Sequence, residues 1–430
     1  MREMKNSGVQ WIGAMPANWQ LSRLVWCLNE IKEKNDPIKT TNVLSLTNKL
    51  GVVPYEEKGN QGNKAKEDYS QYGLAFENTL VINSMNVLIG SVGISKYYGC
   101  VSPVYYVYTN TDKADLRYIN YIFQNVGFQK ELRKYANGIL EIRMRISSHD
   151  MLRRMIPLPQ IDEQHRISDF LDAECARIDS VIDQTRASIE EYKKLKQSVI
   201  TQAVTKGIRP NRKMKDSGIE WIGEIPEEWN VCKLRHIGYA QNGISKSGDF
   251  FGEGYPFVSY GDVYRNISLP QDVKGLVRSS AGEQDLYSVK LGDIFFTRTS
   301  ETIEEVGLSS VCEHTIPNAT FAGFLIRVRP YDDTLDIGYS KYYFRINHHR
   351  FYLVKQMNLV TRASLGQPLL KGMHVLVPSK EEQREIAAYL DKKCAEMDRI
   401  VQTKEVLISE LECYKRSLIY EYVTGKKEVV

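Results

Sequence analysis

Residues 5–19 read KNSGVQWIGAMPANW, and residues 215–229 read KDSGIEWIGEIPEEW. Eight of these fifteen positions are identical, and most of the others are mild exchanges such as Val for Ile. The chain has only five tryptophans, and four of them lie in these two tryptophan segments. Because chance does not explain such a match, the sequence indicates a tandem repeat, and repeats of this kind decide the fold.

A second matching segment lies at the end of each copy. Residues 159–205 and 378–424 share sixteen of forty-seven positions without a gap. Their apolar positions recur mostly at steps of three and four, which predicts one helix of about 40 residues and about 60 Å in each copy. The predicted stripe comprises Leu171, Cys175, Ile178, Ile182, Ile189, Tyr192, Leu195, Val199 and Ala203 in the first copy, and Leu390, Cys394, Met397, Val401, Ile408, Leu411, Tyr414, Leu418 and Tyr422 in the second. Gly207 and Gly425 lie where C-terminal stops are expected.

Helices of this length need a partner for their apolar stripe. We expect each to pack antiparallel against the other, which would place the two bodies at opposite ends of the pair. The alternative is that each helix folds separately onto its own domain. Residues 206–215 contain Pro, Gly and five basic residues, and they are predicted to form the hinge between the halves.

Between the matched segments lie two divergent bodies. Short strands are predicted at residues 80–83 and 293–297, and further strands at 104–108 and 324–328. Short helices are predicted at residues 116–134 and 337–356. The fold class is therefore α+β, with two pseudo-symmetric bodies separated by two long, coiled-coil-like antiparallel helices. The predicted domains are residues 1–157, 158–207, 208–376 and 377–430, alternating body and helix.

The loops after the matched strands differ between the copies. The first copy has Ser84 and Asn86 there, whereas the second has Arg298 and Thr299. Asn can pair with an adenine edge and Arg with a guanine edge, while Ser and Thr serve several bases. These four loop residues are candidate DNA contacts, and four basic residues are added to them: Lys96, Arg143, Arg145 and Arg362. The alternative is that these are ordinary loop residues at strand ends.

Basic residues cluster in both copies just before the long helix. Residues 132–155 contain Arg133, Lys134, Arg143, Arg145, Arg153 and Arg154 against two acids, and residues 345–371 contain Arg345, Arg350, Lys355, Arg362 and Lys371 with none. Such runs are suited to phosphate contacts, although a solvated helix face is the plain alternative for either one.

Composition excludes several classes of protein. The net charge is only +4, so any basic surface is local. Seven scattered cysteines without a C-x-x-C pair argue against zinc ribbons and disulfide frameworks, and favour a reduced cytoplasm. We find neither a signal peptide nor an apolar membrane span. Nucleotide-binding, zinc-hydrolase and adenine-methyltransferase motifs are also missing, and no metal site is predicted.

The doubled tryptophan segments, the doubled P-x-x-x-E-Q starts at Pro159 and Pro378, and the GDIFFTR stretch beginning at Gly292 resemble the specificity subunit of bacterial type I restriction–modification systems. The resemblance covers essentially the whole chain. It implies two target recognition domains that each read one half of a bipartite DNA site. It also implies that the helices set the spacing and dock the methyltransferase subunits, and that restriction subunits join this core. S-adenosylmethionine, ATP and magnesium would then belong to the partners, and this subunit would not be a catalyst.

Two other functions are compatible with parts of the sequence. One is a single-chain restriction enzyme or methyltransferase with degenerate motifs, for which about 140 residues per body leave little room. The other is a protein-binding scaffold whose long helices make the contacts and whose bodies bind no DNA.

Overall fold

The computed structural model describes residues 2–47, 50–58, 68–138, 144–300, 305–355 and 363–429. The chain forms two compact units. Unit 1 comprises Met1–Arg186 and Glu405–Val430, and unit 2 comprises Ala187–Lys404. The boundary between the units therefore divides both long helices, and each unit contains the beginning of one helix and the end of the other.

The two units contain corresponding elements. The helices are α1 (Leu116–Gln124), α2 (Val126–Arg133), α3 (Ser148–Leu152), α4 (Ile161–Lys206), α5 (Tyr260–Arg265), α6 (Ala281–Leu286), α7 (Ile337–Tyr343), α8 (Asn347–Lys355), α9 (Gln367–Gly372) and α10 (Lys380–Val423). The strands of unit 1 are β1 (Met4–Asn6), β2 (Ala14–Pro16), β3 (Gln20–Arg23), β4 (Leu28–Ile31), β5 (Leu44–Thr47), β6 (Gly51–Pro54), β7 (Gly73–Ala75), β8 (Leu80–Asn83), β9 (Val92–Ile94), β10 (Gly99–Val101), β11 (Tyr105–Asn110) and β12 (Met155–Leu158). Those of unit 2 are β13 (Met214–Asp216), β14 (Glu224–Pro226), β15 (Asn230–Lys233), β16 (Gly238–Asn242), β17 (Phe251–Val258), β18 (Leu276–Val277), β19 (Ile294–Thr297), β20 (Thr299–Ser300), β21 (Ser309–Val311), β22 (Thr320–Phe321), β23 (Leu325–Pro330), β24 (Ala363–Ser364) and β25 (His374–Val377).

Both units are built on the same antiparallel sheet. The strand order is β4-β11-β8-β9 in unit 1 and β16-β23-β19-β21 in unit 2. Two further pairs also correspond, since β3 pairs with β12 and β15 pairs with β25. The α+β fold class and all four predicted strands are therefore confirmed, each within one or two residues of its predicted bounds.

The central strands are continuously apolar because both faces of each sheet are covered. In unit 1, Leu80 and Ile82 pack into the core beneath α1, whereas Val81 packs against the β5–β6 hairpin on the opposite face. In unit 2, Phe296 and Phe295 divide between two cores in the same way. Successive residues of a strand point to opposite faces, so a strand buried on both sides requires an uninterrupted apolar run.

Each predicted body helix is in fact two short helices. Residues 116–134 form α1 and α2, with Asn125 between them in an extended conformation. The Asn125 side chain accepts a hydrogen bond from the Phe128 amide. The prediction over 337–356 is divided between α7 and α8. In unit 1 the cause is local, because an Asn side chain that caps a helix N-terminus competes with continuation of the preceding helix.

A glutamate, half-buried in unit 1 and buried in unit 2, joins each tryptophan segment to the start of a long helix. Glu163, at the start of α4, accepts a hydrogen bond from the Trp19 indole at 3.1 Å and pairs with Arg2. Glu382, at the start of α10, accepts the Trp229 indole at 2.9 Å and pairs with Arg212. We call these two arrangements the glutamate clamps.

The next residue of each repeat orders a neighbouring helix. The Gln164 side chain accepts from the Asp115 amide at 2.9 Å, directly before α1, and donates to the Pro159 carbonyl. The Gln383 side chain accepts from the Asp336 amide at 2.6 Å, directly before α7, and donates to the Pro378 carbonyl in the same way. The repeated Glu-Gln pair is thus explained by two structural tasks performed in both units.

The end of the other long helix completes each unit. In unit 1, the Tyr118 hydroxyl on α1 donates to the Val423 carbonyl near the end of α10. In unit 2, the Tyr339 hydroxyl on α7 donates to the Val204 carbonyl near the end of α4. Gly207 ends α4 with φ of 75° and Gly425 follows α10 with φ of 70°, as their positions predict.

Within each unit the two helix segments run antiparallel. Lys415 of α10 pairs with Asp179 of α4 at 2.6 Å in unit 1. Lys196 of α4 pairs with Asp398 of α10 at 2.6 Å in unit 2. These two ion pairs join the same repeat positions with the roles of the helices exchanged, so each unit contains the same piece of helix pair.

The predicted stripe is correct except at one repeat position in the C-terminal half of each helix. Leu171, Ile178, Ile182 and Leu390 are buried, and Met397 and Val401 are half-buried. Leu195 and Tyr414, which occupy the same repeat position, are instead 49% and 50% exposed. Both helices have a lysine at the next position, and its ammonium makes the inter-helix ion pair there, so the seam lies one residue further along.

The segment predicted as a hinge is anchored within unit 2. Arg209 pairs with Glu385 at 2.8 Å, and Arg212 takes part in the clamp on Glu382. These ion pairs hold two of its five basic residues against the start of α10. The hinge prediction is wrong for this reason, although the residues do join the copies.

The three boundaries between the four predicted domains remain predictions. The long helices lie inside the residue ranges assigned to them, whereas the compact units divide those helices. No helix among the described residues is both long enough and apolar enough to cross a bilayer.

We predict that Glu382→Ala lowers the free energy of unfolding by about 3 kcal/mol, because the nearly buried Arg212 loses its buried partner. Glu385→Ala is the matched control, since its pair with Arg209 is exposed and we expect a cost of no more than about 1 kcal/mol. Urea unfolding followed by circular dichroism measures both. Equal effects of the two substitutions would contradict the structural role of the clamp.

We also predict that His349→Phe stabilises unit 2. His349 is buried, neither ring nitrogen has a hydrogen-bond partner among the described residues, and burial lowers its pKa to about 3. Its neutral form is therefore favoured in the fold, and stability is lost as pH falls from about 6.5, the ordinary histidine value, towards 3. The variant should gain about 1–3 kcal/mol at pH 7.5 and more at pH 5. Urea unfolding at both pH values tests this, and a gain that shrinks at pH 5 would contradict it.

Candidate nucleic-acid interface

The two variable loops leave their sheets at equivalent positions. The Ser84 amide donates to the Val104 carbonyl at 3.2 Å, and the Ser84 carbonyl accepts from the Ile146 amide. The Arg298 amide donates to the Phe324 carbonyl at 2.9 Å, and its carbonyl accepts from the Leu365 amide. Ser84 and Arg298 therefore occupy the same backbone position, with a side chain that differs between the units.

In unit 1 the structure separates the candidate contacts into buried and accessible groups. Ser84 is buried, and its hydroxyl donates to the Val104 carbonyl at 2.7 Å. Asn86 is exposed, and its side chain makes no cap bond to the short turn that follows it. Lys96 and Arg145 are also exposed. Asn86 is thus the loop side chain that is free to meet a base, whereas Ser84 fixes the loop.

In unit 2 the candidate contacts are half-buried. Arg298 directs one guanidinium nitrogen towards the Gly323 carbonyl at 3.4 Å, a long hydrogen bond. The Thr299 hydroxyl lies 3.4 Å from the Ser364 hydroxyl, on strands β20 and β24, which pair with each other. Both side chains lie at the loop edge and keep most of their hydrogen-bonding capacity. Arg143 and Arg362 lie outside the described residues, so their assignment stays a prediction.

Unit 1 has a line of basic side chains that starts beside its loop. Arg145, His149 and Arg153 are spaced four residues apart along α3 and its flanks, and all three are exposed. We call them the basic ridge. Two described carboxylates lie close to it. Glu30 accepts a hydrogen bond from the Ser148 hydroxyl at 3.0 Å, and the pKa of Asp150 is lowered by a hydrogen bond from the Ser147 hydroxyl and further by His149 and Arg154. Arg145 therefore offers a cation beside the loop, and the ridge continues from there to Arg153, beside the start of β12.

The basic run of unit 2 is used differently. The Arg345 guanidinium donates to the backbone carbonyls of Val263, Tyr264 and Ser309 at 2.5 to 3.1 Å. Burial lowers the pKa of Arg345. Its guanidinium binds backbone carbonyls at the end of α5 and is not presented to solvent as a surface cation would be. The phosphate-contact hypothesis is wrong for Arg345, because its donors are already occupied. Lys371 at the end of α9 is half-buried and makes no ion pair among the described residues.

Sequence reasoning missed the exposed turn between β3 and β4. Residues Leu24–Trp26 form a 3₁₀ turn on which Trp26 is 61% exposed. A signal was present, since Trp26 is the one tryptophan outside the repeated segments and its repeat counterpart is His236. Sequence reasoning also missed Arg327, which is buried in the unit 2 sheet and donates to the Ser288 carbonyl and the Gln241 side chain.

Among the described residues no group of three or more His, Cys, Asp or Glu side chains is placed to hold a metal ion.

Comparison with known sequences identifies a family. The sequence model described as "Type I restriction modification DNA specificity domain" matches residues 24–191 and 226–409, one match in each copy. The type I restriction enzyme MjaVIII specificity subunit of Methanocaldococcus jannaschii is 24% identical over 279 residues, which are 64% of this chain and 62% of that protein. The EcoKI specificity subunit of Escherichia coli K12 is 23% identical over 320 residues, 70% of this chain and 63% of that protein. The chain thus aligns with less than two thirds of the length of these two relatives.

Solved structures share the fold. The crystal structure of the HsdS subunit from Thermoanaerobacter tengcongensis aligns with a TM-score of 0.56 at 16% identity and covers 96% of this chain and 98% of that one. A chain from a study of complex assembly and conformational transition of the type I R-M system aligns with a TM-score of 0.74 at 15% identity, covering 96% and 99%.

We predict that Arg345→Ala lowers the free energy of unfolding by about 2 kcal/mol, because three backbone carbonyls lose a charged donor. Lys371→Ala removes a cation from the same basic run and should cost less than about 0.5 kcal/mol. Urea unfolding of the two variants checks the difference. A neutral Arg345→Ala would show that the guanidinium is not structural and would return it to the candidate phosphate contacts.

Proposed function

Because this chain belongs to the family of type I restriction–modification DNA specificity domains and carries two of them, we propose that it selects the DNA sequence on which a type I complex acts. Each unit would read one half of a bipartite site. The long helices would set the separation of the half-sites. The chain would contribute recognition and no catalysis of its own.

One observation carries the proposal. The two units share a sheet of the same strand order. The loops that follow β8 and β19 also make the same backbone hydrogen bonds, but their side chains differ. A common scaffold with exchanged loop residues is suited to reading two different sequences, because base edges are distinguished by the hydrogen-bonding groups that meet them. A protein with a single target would have no need for two versions of this loop.

The chemistry of the loops supports different half-sites. Asn86 offers an amide that can pair with an adenine edge, and Arg298 offers a guanidinium that can pair with guanine. Arg145, at the loop end of the basic ridge, would bind a phosphate beside the first half-site, which positions the protein without reading bases. Ser84 and Arg345 would act only through the backbone they hold.

We further propose that methyltransferase subunits dock on the long helices and that restriction subunits join them. Apolar side chains lie exposed there in both units, namely Val181, Val406, Leu407 and Tyr414 in unit 1 and Leu195, Tyr389 and Ile400 in unit 2. Exposed apolar residues on helices favour contact with another protein. S-adenosylmethionine, ATP and magnesium would be bound by these partners, and the complex would act in the cytoplasm, where the DNA is.

The proposal is tested by long-read methylation sequencing of a methylation-free host. The host expresses a type I methyltransferase subunit encoded beside this chain, with or without the chain. We predict a new bipartite adenine-methylation motif that vanishes when the chain is omitted. Methylation that persists without the chain would refute its role in specificity, and a soluble, assembled pair that does not methylate would favour a scaffold instead.

Two variants test the division of labour in the same assay. Arg298→Ala should relax one half of the motif, and Asn86→Ala should relax the other. The matched control is Arg209→Ala, an exposed arginine in the connection between the copies that pairs with Glu385. A change in both half-sites from either loop variant would contradict independent reading by the units.

A further inference from the structure

The turn that precedes β4 presents an unusual side chain to solvent. Trp26 is 61% exposed and Val25 beside it is 44% exposed. The other four tryptophans are buried or half-buried, and their rings serve the tryptophan segments. An aromatic ring left this exposed on an ordered turn marks a candidate contact surface.

The turn is held firmly from beneath. Leu24 is fully buried, and its amide donates to the Arg154 carbonyl at 3.1 Å. The Cys27 amide closes the turn on the Leu24 carbonyl, and the Thr111 hydroxyl donates to the Trp26 carbonyl at 2.9 Å. The backbone is thus fixed on three sides while the Trp26 ring points away from the core. Little conformational freedom would be lost at this backbone on binding.

Cations flank the exposed ring. Arg23 is exposed and is the last residue of β3, directly before the turn that carries Trp26. Arg153 and Arg154 directly precede Met155, the residue that pairs with Arg23 across the two strands. Arg154 stacks on the Tyr135 ring at 3.4 Å. Within the described residues neither Arg23 nor Arg153 forms an ion pair, so both charges are available to an external anion.

Unit 2 has the same turn with a different tip. Residues Leu234–His236 repeat the 3₁₀ geometry, and the Leu234 amide donates to the Met373 carbonyl at 2.8 Å. Lys233 replaces Arg23, while Arg235 and His236 replace Val25 and Trp26. The backbone and the positive charge are common to both units, whereas the apolar ring belongs to unit 1 alone.

We propose that the Leu24–Trp26 turn is a second DNA contact of unit 1, in which Arg23 and Arg153 bind backbone phosphates and Trp26 packs on the adjoining deoxyribose. The inference rests on the proposed function and extends it to a surface outside the base-reading loop. A polyanion accounts for the cations found at this turn in both units. A protein that docked equivalently on both units would meet an indole on one and an Arg-His pair on the other.

The location defines what the contact does. Leu28, just after the turn, pairs with Asn110 at the C-terminal end of β11. Asn83, just before the loop, pairs with Tyr105 at the N-terminal end of the same strand. The turn and the loop therefore lie at opposite ends of one sheet, about 20 Å apart for a six-residue strand. Contacts at the turn would strengthen binding to flanking DNA and would leave the choice of bases unchanged.

Trp26 itself reports on the contact. Acrylamide quenches exposed indoles, so the difference in quenching between the full chain and Trp26→Phe isolates this ring. We expect a duplex carrying the methylated motif to protect the Trp26 component from acrylamide, both in the chain alone and in its complex with the methyltransferase subunit. A component that stays fully quenchable with duplex bound, or one that the partner protects in the absence of DNA, would overturn the proposal.

Affinity measurements give an independent readout. Trp26→Ala in the assembled complex should weaken duplex binding about tenfold without changing the methylated motif, since apolar and stacking contacts of this kind carry such effects. Arg23→Gln and Arg153→Gln should each reduce the slope of log affinity against log salt by about 0.9, the value for one phosphate contact. Arg209→Gln, whose exposed side chain pairs with Glu385, is the matched control and should leave the slope unchanged.

If all three turn variants kept the affinity for duplex and the salt dependence of the unaltered complex, the turn contact would be refuted. The proposed function would still stand in that case, provided that the unaltered complex methylates a specific motif. A changed motif in Trp26→Ala would also refute the turn contact, because the ring would then be reading bases. If the unaltered complex showed no motif at all, the proposed function would fail first.

Discussion

The architecture depends on a carboxylate at the first turn of each long helix, buried in unit 2 and half-buried in unit 1. Glu163 and Glu382 each take a tryptophan indole and an arginine guanidinium from the segment that opens a copy. A buried carboxylate is tolerated only when charged donors satisfy it. The clamps therefore require the tryptophan segment, the arginine before it and the helix start to meet at one point, and they explain why these residues are the ones written twice.

From this point the shape of each unit follows. Because Gly425 packs against Trp19 in unit 1 and Gly207 packs against Trp229 in unit 2, each clamp also receives the end of the other copy's helix. Neither copy can complete its core alone, and this accounts for compact units that divide both helices. The constraint is confined to the helix end of each body. The loops at the distant edge of the sheet, around Asn86 and Arg298, are free to differ.

Much of this was predictable from the sequence, for physical reasons that differ between elements. The repeat and the apolar pattern predicted the paired helices and the strands at β8 and β19, because the residues that a helix or strand buries are apolar and follow a recognisable pattern in the sequence. Periodicity misplaced Leu195 and Tyr414, since it does not reveal that the neighbouring lysines pair across the helices. It also did not show that Ser84 and Arg345 bond to backbone carbonyls, because hydrogen bonds to carbonyls distant in sequence leave no pattern. The sequence marks Trp26 as the one tryptophan outside the repeated segments, but it does not show that the ring is exposed on a 3₁₀ turn.

The central claim is that each unit reads its half-site independently on a shared scaffold. The β3–β12 and β15–β25 pairs offer matching junctions, so residues 24–154 can replace residues 234–373 in the same chain. Methylation sequencing of a host expressing this duplicated chain with the methyltransferase subunit tests the claim directly. The account predicts a new symmetric motif made from two copies of the first half-site. An unchanged asymmetric motif, or an assembled complex that no longer methylates, would contradict it.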